Sequence, residues 1–340
     1  MKDVRFPIMN AKKVLRNILM TALLPCLIIL IFGLASHGRT LTARMLLVTF
    51  QQCIVPTILS MAVVGNLTLG MWDFSAGAVV IASSIIGGNL MKLTNTGIPG
   101  LFVFCVLIGV GMSSLTGFLN NKLKVPMLVL TIGLIFIYES FPRVIFPKGI
   151  TIRDKYTLFA SAPYNYIVLA VAALVCYFLF EKSSYGHNIR VLGGGKDIAK
   201  AAGLNEPRIM QMGFTIAGFF LGLGAFINIS EQGQIMNVAS LDSSGLVFNA
   251  LMGYFLAHFM VRYCPLPVAL ILGNFTMTML SNGFVALGWP ATMQNVTTGF
   301  FLLILLGATA NQTRFARWRM DRKRSREINH RLGLETRNPS

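Results

Sequence analysis

Long apolar runs repeat along almost the whole chain, and they constrain its fold more than any other feature. A transmembrane helix needs roughly 20 mostly apolar residues, and about ten runs approach that length. They are Ile18–Gly33, Met45–Val64, Phe74–Leu90, Ile98–Leu119, Val125–Ser140, Tyr164–Phe180, Ile209–Ile229, Gly245–Val261, Leu266–Leu287 and Val296–Ala308. Because their apolar residues rarely alternate as in a strand, the sequence predicts an all-α integral membrane protein rather than a β-barrel.

The composition also indicates a membrane protein. Of the 340 residues, 54% are hydrophobic and 12% are charged, and the mean hydropathy is +0.67. A soluble globular domain has about 25% charged residues. We therefore expect no soluble domain, and we predict one transmembrane domain over residues 17–310.

The basic residues predict which loops face the cytosol. The net charge is +17, and segments 1–16, 181–208 and 311–340 hold five, five and nine Lys or Arg residues. Ten spans would bring both termini to the cytosolic side, where 22 of the 29 basic residues would then lie, as the positive-inside rule requires. We therefore predict a cytosolic basic N-terminus (1–16) and a cytosolic basic tail (311–340). The tail is predicted to bind anionic membrane lipid rather than nucleic acid.

Cysteine and histidine residues give no sign of a metal site. The five cysteines lie in or beside apolar runs without a CxxC pair, and the four histidines are scattered. Such cysteines are typical of small buried apolar side chains. The run Gly193–Asp197 lacks the spacing of a phosphate-binding loop, and no strand precedes it. We expect no cofactor, no metal and no catalytic residue in this chain, which is not predicted to be an enzyme.

One sizeable polar segment, residues 181–208, interrupts the second half of the chain. It carries a glycine cluster, then a short Ala-rich stretch of good helix formers, then Gly203 and Pro207. A small helix on a polar loop between two spans is suited to receive a push from a cytosolic motor. We therefore predict that this loop docks on a separate ATPase.

A glycine-rich break separates the second and third spans. It runs from Gly65 to Gly77 and contains Gly70 and Asp73. Non-helical backbone at membrane depth is tolerated only where it is buried in protein or lines water. Asp73 either lines a pathway or, together with Ser75, caps the third helix near the interface. The cap is the plainer of these two interpretations.

Other polar residues within or beside the spans allow two interpretations. They could hydrogen-bond a polar solute such as a sugar, or they could hold helices together. These residues are Asn66, Asn120, Thr131, Asn274 and Asn282. The acids Glu139, Glu231 and Asp242 are placed near span ends, which disfavours a proton-coupled carrier. The small residues Gly218, Gly222 and Gly224 predict close helix packing in the seventh span.

A weak internal repeat relates the two halves of the chain. Leu119–Asn121 is followed by Val125–Pro126, and Leu280–Gly283 is followed by Trp289–Pro290. In the predicted topology the first copy ends a helix at the inner face and the second copy at the outer face. This relation is typical of an inverted repeat built around a transport pathway.

Four motifs in order resemble the permease subunits of bacterial ABC importers of the ribose, xylose and autoinducer-2 type. The first, Gly70-x-x-Asp73-x-Ser75-x-Gly77, is similar to that family's Gly-Ile-Asp-Leu-Ser-Val-Gly pattern. The other three are Gly117-Phe-Leu-Asn120 through Pro126 to Thr131-Ile132-Gly133, then Tyr185-Gly186-x-x-Ile189-Arg190 with Gly193, Ala199 and Gly203-Leu204, and finally Leu280-x-Asn282-Gly283. Together they cover most of residues 50–310.

The resemblance implies an import system in the bacterial plasma (inner) membrane. It would contain two permease subunits, alike or different, two ABC ATPase subunits and an extracytoplasmic solute-binding protein. The implied solute is small and polar, such as a monosaccharide or a related compound. The alternatives are a stand-alone secondary carrier or solute channel, and a membrane scaffold whose pathway has decayed.

The resemblance also implies roles for individual residues. Coupling to the ATPase is expected of Arg190, Gly193, Lys196, Ala199, Gly203 and Leu204. A pathway or structural role is expected of Asn66, Gly70, Asp73, Ser75, Gly77, Asn120, Pro126, Thr131 and Asn282.

The chain departs from this family in three places. The predicted coupling loop has Gly195 where the family usually has Asn, and Ile198 where it usually has Ala. The family's glycine-rich segment after the equivalent of Leu241-Asp242 is replaced by Leu246–Val261, in which Gly253 alone remains among Tyr and Phe. We therefore expect a divergent solute pathway.

Overall fold

The described part of the chain folds almost entirely into helices. The computed structural model describes residues 11–36, 38, 40, 42–152 and 156–290, and isolated residues between 293 and 307. The helices are α1 (Ala11–Ala35), α2 (Ala43–Gln52), α3 (Ile54–Thr68), α4 (Ala76–Thr94), α5 (Gly97–Leu123), α6 (Met127–Ile145), α7 (Tyr164–Tyr177), α8 (Ser184–Gly194), α9 (Lys196–Ala201), α10 (Glu206–Gln232), α11 (Ser244–Met260) and α12 (Leu266–Ala286). A 3-10 turn (Leu158–Ala160) precedes α7, and a π-helical turn (Phe178–Lys182) follows it.

Seven helical segments of the described chain are long and apolar enough to cross a membrane. They are Ala43–Thr68, Ala76–Thr94, Gly97–Leu123, Met127–Ile145, Tyr164–Lys182, Glu206–Gln232 and Leu266–Ala286. Thr21–Ala35 and Ser244–Met260 are shorter apolar helices. The prediction of apolar membrane helices is confirmed for these seven segments. The predicted span Val296–Ala308 and the tail 311–340 lie largely or wholly outside the described residues, so ten spans and cytosolic termini stay predictions.

The chain divides into two compact units after Gly288. The first is Met1–Gly288, and the second is Trp289–Ser340, of which only a few residues are described. The first unit contains every helix from α1 to α12.

The second predicted span is not one continuous helix. It breaks at Cys53, which ends α2 and precedes α3, and Pro56 lies in the first turn of α3. A proline in a first turn costs no hydrogen bond, because the N–H groups there have no intrahelical acceptor. Thr57 Oγ1 donates to the Cys53 carbonyl at 2.6 Å, which ties the two helices together at the break.

Helix α10 lies at the centre of the first unit and is the most buried of the seven long segments. It packs against α3, α4 and α5. A Cβ atom at Gly218 would lie 2.6 Å from the Gly109 carbonyl oxygen, and one at Gly222 would lie 2.5 Å from Val106 Cα. The close packing predicted for these glycines is confirmed, because only hydrogen at both positions lets the two backbones approach so closely.

The two ends of the helix bundle differ in structure. At one end, β1 (Ile150–Thr151) pairs antiparallel with β2 (Gln234–Ile235), so α6 and α10 end on the same side. At the other end, Asn121 Nδ2 donates to the Pro207 carbonyl at 3.0 Å, so α5 ends where α10 begins. The short helices α8 and α9 connect α7 to α10 and therefore lie at this second end.

Candidate functional site

A first non-helical segment joins α3 to α4. Gly70 has a φ of +73°, which favours glycine, and the Met71 N–H donates to the Asn66 carbonyl at 2.8 Å. Asp73 Oδ1 then accepts hydrogen bonds from the Ser75 N–H at 2.9 Å and from Ser75 Oγ at 2.6 Å. These bonds fix the turn from which α4 begins.

The pair Asp73 and Ser75 starts α4 inside the helix bundle. Both residues are buried among the helices. Ser75 is the N-cap residue by position, but its side chain makes no capping bond to the first turn of the helix. Instead the Ser75 hydroxyl donates its hydrogen bond to Asp73 Oδ1. The carboxylate therefore lies beside the positive end of the α4 dipole, which favours an anion.

A second non-helical segment precedes α11. Ser240 and Leu241 have φ values of +62° and +70°, which side chains other than glycine adopt rarely. Glu139 of α6 holds this segment, because its two carboxylate oxygens accept from the Leu241 N–H at 3.1 Å and from the Ser243 N–H at 3.0 Å. A strained backbone persists only where such contacts over-determine it.

The two segments meet inside the bundle, and residues 69–77 and 240–243 are named the central junction here. A Cβ atom at Gly77 would overlap the Ser243 carbonyl oxygen, so the first turns of α4 and α11 touch. Glu139 lies twelve residues after the start of α6, or about 18 Å along its axis. Since α6 continues for six further residues to Ile145, the junction lies inside the helix bundle, away from both ends of this candidate span.

Sequence reasoning ended this span at Ser140, next to Glu139, whereas α6 continues to Ile145. The Glu139 side chain is 3% exposed within the bundle. Its partners lie 102 and 104 residues further along the chain, so no local pattern reveals them. The sequence does indicate that Glu139 has partners, because a carboxylate within an apolar run needs hydrogen-bond or ionic partners inside the protein.

We expect Glu139→Ala to destabilise the protein strongly. The change leaves the Leu241 and Ser243 N–H groups without acceptors, and each buried unpaired group costs about 1–3 kcal/mol. Glu139→Gln keeps one acceptor oxygen and should lose less. The measurement is the thermal unfolding midpoint of the purified full-length chain in detergent. Asp242→Ala is the matched control, because this neighbouring carboxylate is exposed; equal midpoints for the Glu139 and Asp242 variants would contradict the assignment.

Aromatic side chains surround the first segment of the junction. Trp72 packs on Phe255 with ring centroids 5.8 Å apart, and Phe74 packs on Phe248 at 5.6 Å. The related family pattern has Ile and Leu in place of Trp72 and Phe74. The aromatic residues that replace the family's glycine-rich segment in α11 therefore have aromatic partners across the junction.

Helices α8 and α9 form a short pair at the opposite end from the β-strands. The Ser183 hydroxyl accepts from the Gly186 N–H at 3.3 Å and caps α8, and Gly195 separates α8 from α9. Gly203 has a φ of +71°, and the Leu204 N–H donates to the Ala199 carbonyl at 3.0 Å, which closes the turn after α9. The predicted small helix is present, but as two helices.

Helix α8 packs directly against the end of α3. A Cβ atom at Gly193 would overlap the Thr68 carbonyl oxygen, so only glycine allows this contact. Ala199 is buried, whereas Arg190 is exposed and its Nε donates to the Gly186 carbonyl at 3.0 Å. Lys196 begins α9. One side of the helix pair α8 and α9 thus contacts the bundle, and the exposed Arg190 side chain lies on another side.

Tyr185 and Asn66 lie where α8, α3 and α10 come together. A Cβ atom at Gly213 would lie 3.0 Å from the Tyr185 hydroxyl and 3.1 Å from Asn66 Oδ1. Neither oxygen has a hydrogen-bond partner among the described residues. Burial raises the pKa of the Tyr185 phenol, so this hydroxyl stays protonated at neutral pH.

The remaining predicted residues lie in two other places. Asn120, Pro126 and Thr131 surround the turn from α5 to α6, where Thr131 Oγ1 donates to the Met127 carbonyl of its own helix at 3.0 Å. Asn282 is in α12 and donates to Thr49 Oγ1 at 2.9 Å. The structure therefore brings Gly70, Asp73, Ser75 and Gly77 together, but it does not gather the whole predicted set.

One family profile matches most of the chain. The match covers residues 45–306, and the family is described as the permease component of the branched-chain amino acid transport system. The matched region includes the central junction, the pair α8 and α9, and every helix from α3 to α12.

Curated relatives of the chain are permeases of import systems. The chain is 25% identical over 229 residues to the fructose import permease of Rhizobium meliloti, which covers 61% of this chain and 62% of that protein. It is 24% identical to the D-allose transport permease of Escherichia coli K12, covering 63% and 68%. It is 21% identical over 295 residues to the autoinducer 2 import permease of Salmonella paratyphi B, covering 84% of each. The match to the fructose permease thus spans less than two thirds of that relative.

A solved structure shares the fold. It is described as an inward-facing conformation of a metal-chelate type ABC transporter, and the TM-score is 0.50 at 15% sequence identity. The alignment covers 87% of this chain and 99% of the other. At this identity the likeness concerns the arrangement of helices alone.

Proposed function

The chain belongs to the family of permease components of the branched-chain amino acid transport type, and from this premise we propose that it is the transmembrane permease subunit of an ATP-driven ABC importer. In this function the helix bundle provides the pathway across the membrane. A separate ATPase drives the opening and closing of that pathway from the cytosolic side. The chain itself carries out no covalent chemistry.

One observation carries the proposal: α8 touches the end of α3, and α3 leads directly into the central junction. Gly193 lies against the Thr68 carbonyl, and Asp73 follows only five residues after Thr68. A displacement of α8 would therefore press on the segment from which α4 starts. Because α4 and α11 touch at Gly77, the displacement would reach both helices within the membrane.

We assign the ATPase contact to the exposed side of the pair α8 and α9. Gly193 touches the end of α3 and Ala199 is buried, whereas the Arg190 side chain is exposed. In this arrangement Arg190, Lys196 and the turn at Gly203–Leu204 lie toward the ATPase. The assignment requires this end of the bundle to be cytosolic.

The proposed solute is a small polar molecule, a monosaccharide or a related compound. The family description names branched-chain amino acids, but the relatives cited above import fructose, D-allose and autoinducer 2. The solutes of the individual relatives are the better indication of this chain's solute, because one family profile matches permeases with different solutes. Selection among sugars would depend partly on an extracytoplasmic solute-binding protein.

The complete importer would contain this chain, a second permease subunit, two ATPase subunits and the solute-binding protein in a bacterial inner membrane. Many apolar side chains of the long helices, such as Val129 and Leu107, are exposed. Lipid or a second permease subunit would cover them. The basic tail 311–340 would lie on anionic lipid.

Uptake into proteoliposomes tests the proposal. The tagged full-length chain is purified from its native membrane with the subunits that accompany it and is reconstituted with its solute-binding protein. We expect uptake of labelled D-fructose, D-allose or D-galactose to need ATP and to fall to the level of protein-free vesicles with a non-hydrolysable analogue. Sustained uptake by the chain alone on a proton or sodium gradient would instead identify a stand-alone secondary carrier.

A further inference from the structure

We propose that a polar cavity between α2, α3, α11 and α12 binds a neutral polyhydroxylated solute within the membrane. The inference rests on the proposed transport function, and it adds a location for the solute and the groups that hold it. The cavity has a volume of about 240 Å³. Six polar side chains line it: Gln52, Asn249, Asn274, Thr278, Ser281 and Asn282. The cavity that these side chains line is called the amide cavity here.

The amide cavity lies at membrane depth. Asn274 and Asn282 are eight and sixteen residues beyond the start of α12, or about 12 and 24 Å along its axis. Asn249 follows the start of α11, and hence the central junction, by only five residues. The cavity therefore lies close to the junction, between the ends of the candidate span α12.

Two residues of the cavity are held in place by hydrogen bonds within the protein. Asn274 Nδ2 donates to the Leu270 carbonyl at 2.8 Å and to Ser60 Oγ at 2.9 Å. Asn282 Nδ2 donates to Thr49 Oγ1 at 2.9 Å and to Gln52 Oε1 at 2.8 Å. These bonds fix the orientation of both amides before any ligand arrives, which reduces the entropic cost of binding.

Several hydrogen-bonding groups of the cavity are not used within the described protein. Asn249 and Ser281 make no side-chain hydrogen bond to any described residue, and Asn282 Oδ1 and Gln52 Nε2 are likewise unoccupied. Gln52 and Asn249 are also exposed at the surface of the chain. Amides exposed to lipid are costly, so such a surface needs water, protein or a polar ligand.

The chemistry of the lining selects a neutral ligand. The residues around the cavity include no acid and no base, and two methionines, Met252 and Met277, supply apolar surface. A charged solute would lose its hydration without gaining a counter-ion. Amides and hydroxyls offer donors and acceptors together, which matches a hydroxyl group. A volume just below the range of about 300–1,000 Å³ for drug-sized ligands suits a molecule as small as a monosaccharide.

Protection of an engineered cysteine tests the site directly. The full chain carries Ser281→Cys together with Cys26→Ser and Cys264→Ser, since the other three cysteines are buried. In membrane vesicles, a water-soluble maleimide labels the new thiol at position 281 with and without D-fructose, D-allose or D-galactose. At a sugar concentration about ten times its Kd, we expect labelling to be about tenfold slower. Gln234→Cys, an exposed position outside the cavity, is the control and should be labelled equally in all conditions.

A second variant separates this inference from the proposed function. Asn249→Ala removes one hydrogen-bonding group without breaking a bond to a described residue, and we expect it to raise the KM for uptake about five- to tenfold. Unchanged labelling of the Ser281→Cys variant with all three sugars, or a normal KM in Asn249→Ala, would overturn the amide cavity while ATP-driven uptake by the unsubstituted chain still upheld the importer.

Discussion

Gly77→Ala is expected to abolish transport. The added Cβ atom would overlap the Ser243 carbonyl oxygen, and a backbone atom cannot rotate away as a side chain can. The first turns of α4 and α11 would have to separate, which costs about 1–3 kcal/mol by comparison with overpacked cores. Separation would also disturb the bonds of Glu139 to the Leu241 and Ser243 N–H groups. ATP-dependent uptake into proteoliposomes should fall to background.

The matched control for this prediction is Gly245→Ala. Gly245 lies two residues beyond Ser243, in the first turn of α11, and a Cβ atom there would meet nothing within 4 Å. This variant should transport within about twofold of the unsubstituted chain, because exposed positions usually change stability by less than about 0.5 kcal/mol. Normal transport by Gly77→Ala would show that the contact of α4 with α11 is not needed.

Gly193→Ala is expected to uncouple the chain from its ATPase. Its Cβ atom would overlap the Thr68 carbonyl oxygen, so α8 would be pushed away from the end of α3. The change removes none of the hydrogen bonds of Asp73 and Glu139, so the central junction should stay folded. We therefore expect normal expression and a normal thermal midpoint, together with loss of uptake and loss of solute-stimulated ATP hydrolysis.

The neighbouring glycine provides a close control. Gly194 is in the same helix, and a Cβ atom at that position would meet nothing within 4 Å. Gly194→Ala should therefore keep both uptake and stimulated hydrolysis. If Gly193→Ala and Gly194→Ala behave alike in both assays, the contact with Thr68 does not carry the coupling.

The membrane helices could be predicted from the sequence because their signal is local. A long apolar run needs no knowledge of its neighbours, and seven such segments are confirmed in the described chain. The close packing of Gly218 and Gly222 was also predictable, since small residues four apart lie on one helix face. The break at Cys53 was not predicted, although Gln51 and Gln52 directly precede it and Pro56 follows it.

The central junction could be predicted only in part. Gly70 and Asp73 indicate a turn, because glycine is flexible and an acidic residue is unusual within an apolar sequence. The carboxylate that holds the other half, Glu139, comes from a different helix and reaches amides more than 100 residues away. Backbone N–H groups carry no sequence signature, so such a pairing emerges only from the fold.

The departure from the family pattern in α11 has a physical explanation in the structure. The rings of Phe255 and Phe248 pack in tilted contact on Trp72 and Phe74, which are themselves departures from the related pattern. Larger side chains on both sides fill the same space in a complementary way. Gly253 remains because a Cβ atom there would overlap the Asn274 side chain of α12. The divergent segment is therefore a repacked interface.

The side of the membrane on which α8 lies is the most direct test of its proposed contact with a cytosolic ATPase. Gly194→Cys is introduced with Cys26→Ser and Cys264→Ser, and spheroplasts are treated with a membrane-impermeant maleimide. We predict no labelling of the thiol at position 194 in intact spheroplasts and full labelling after permeabilisation, whereas Gln234→Cys is labelled in both. Labelling of the Gly194→Cys variant in intact spheroplasts would place α8 outside the cell, beyond the reach of any cytosolic ATPase, and would contradict the account.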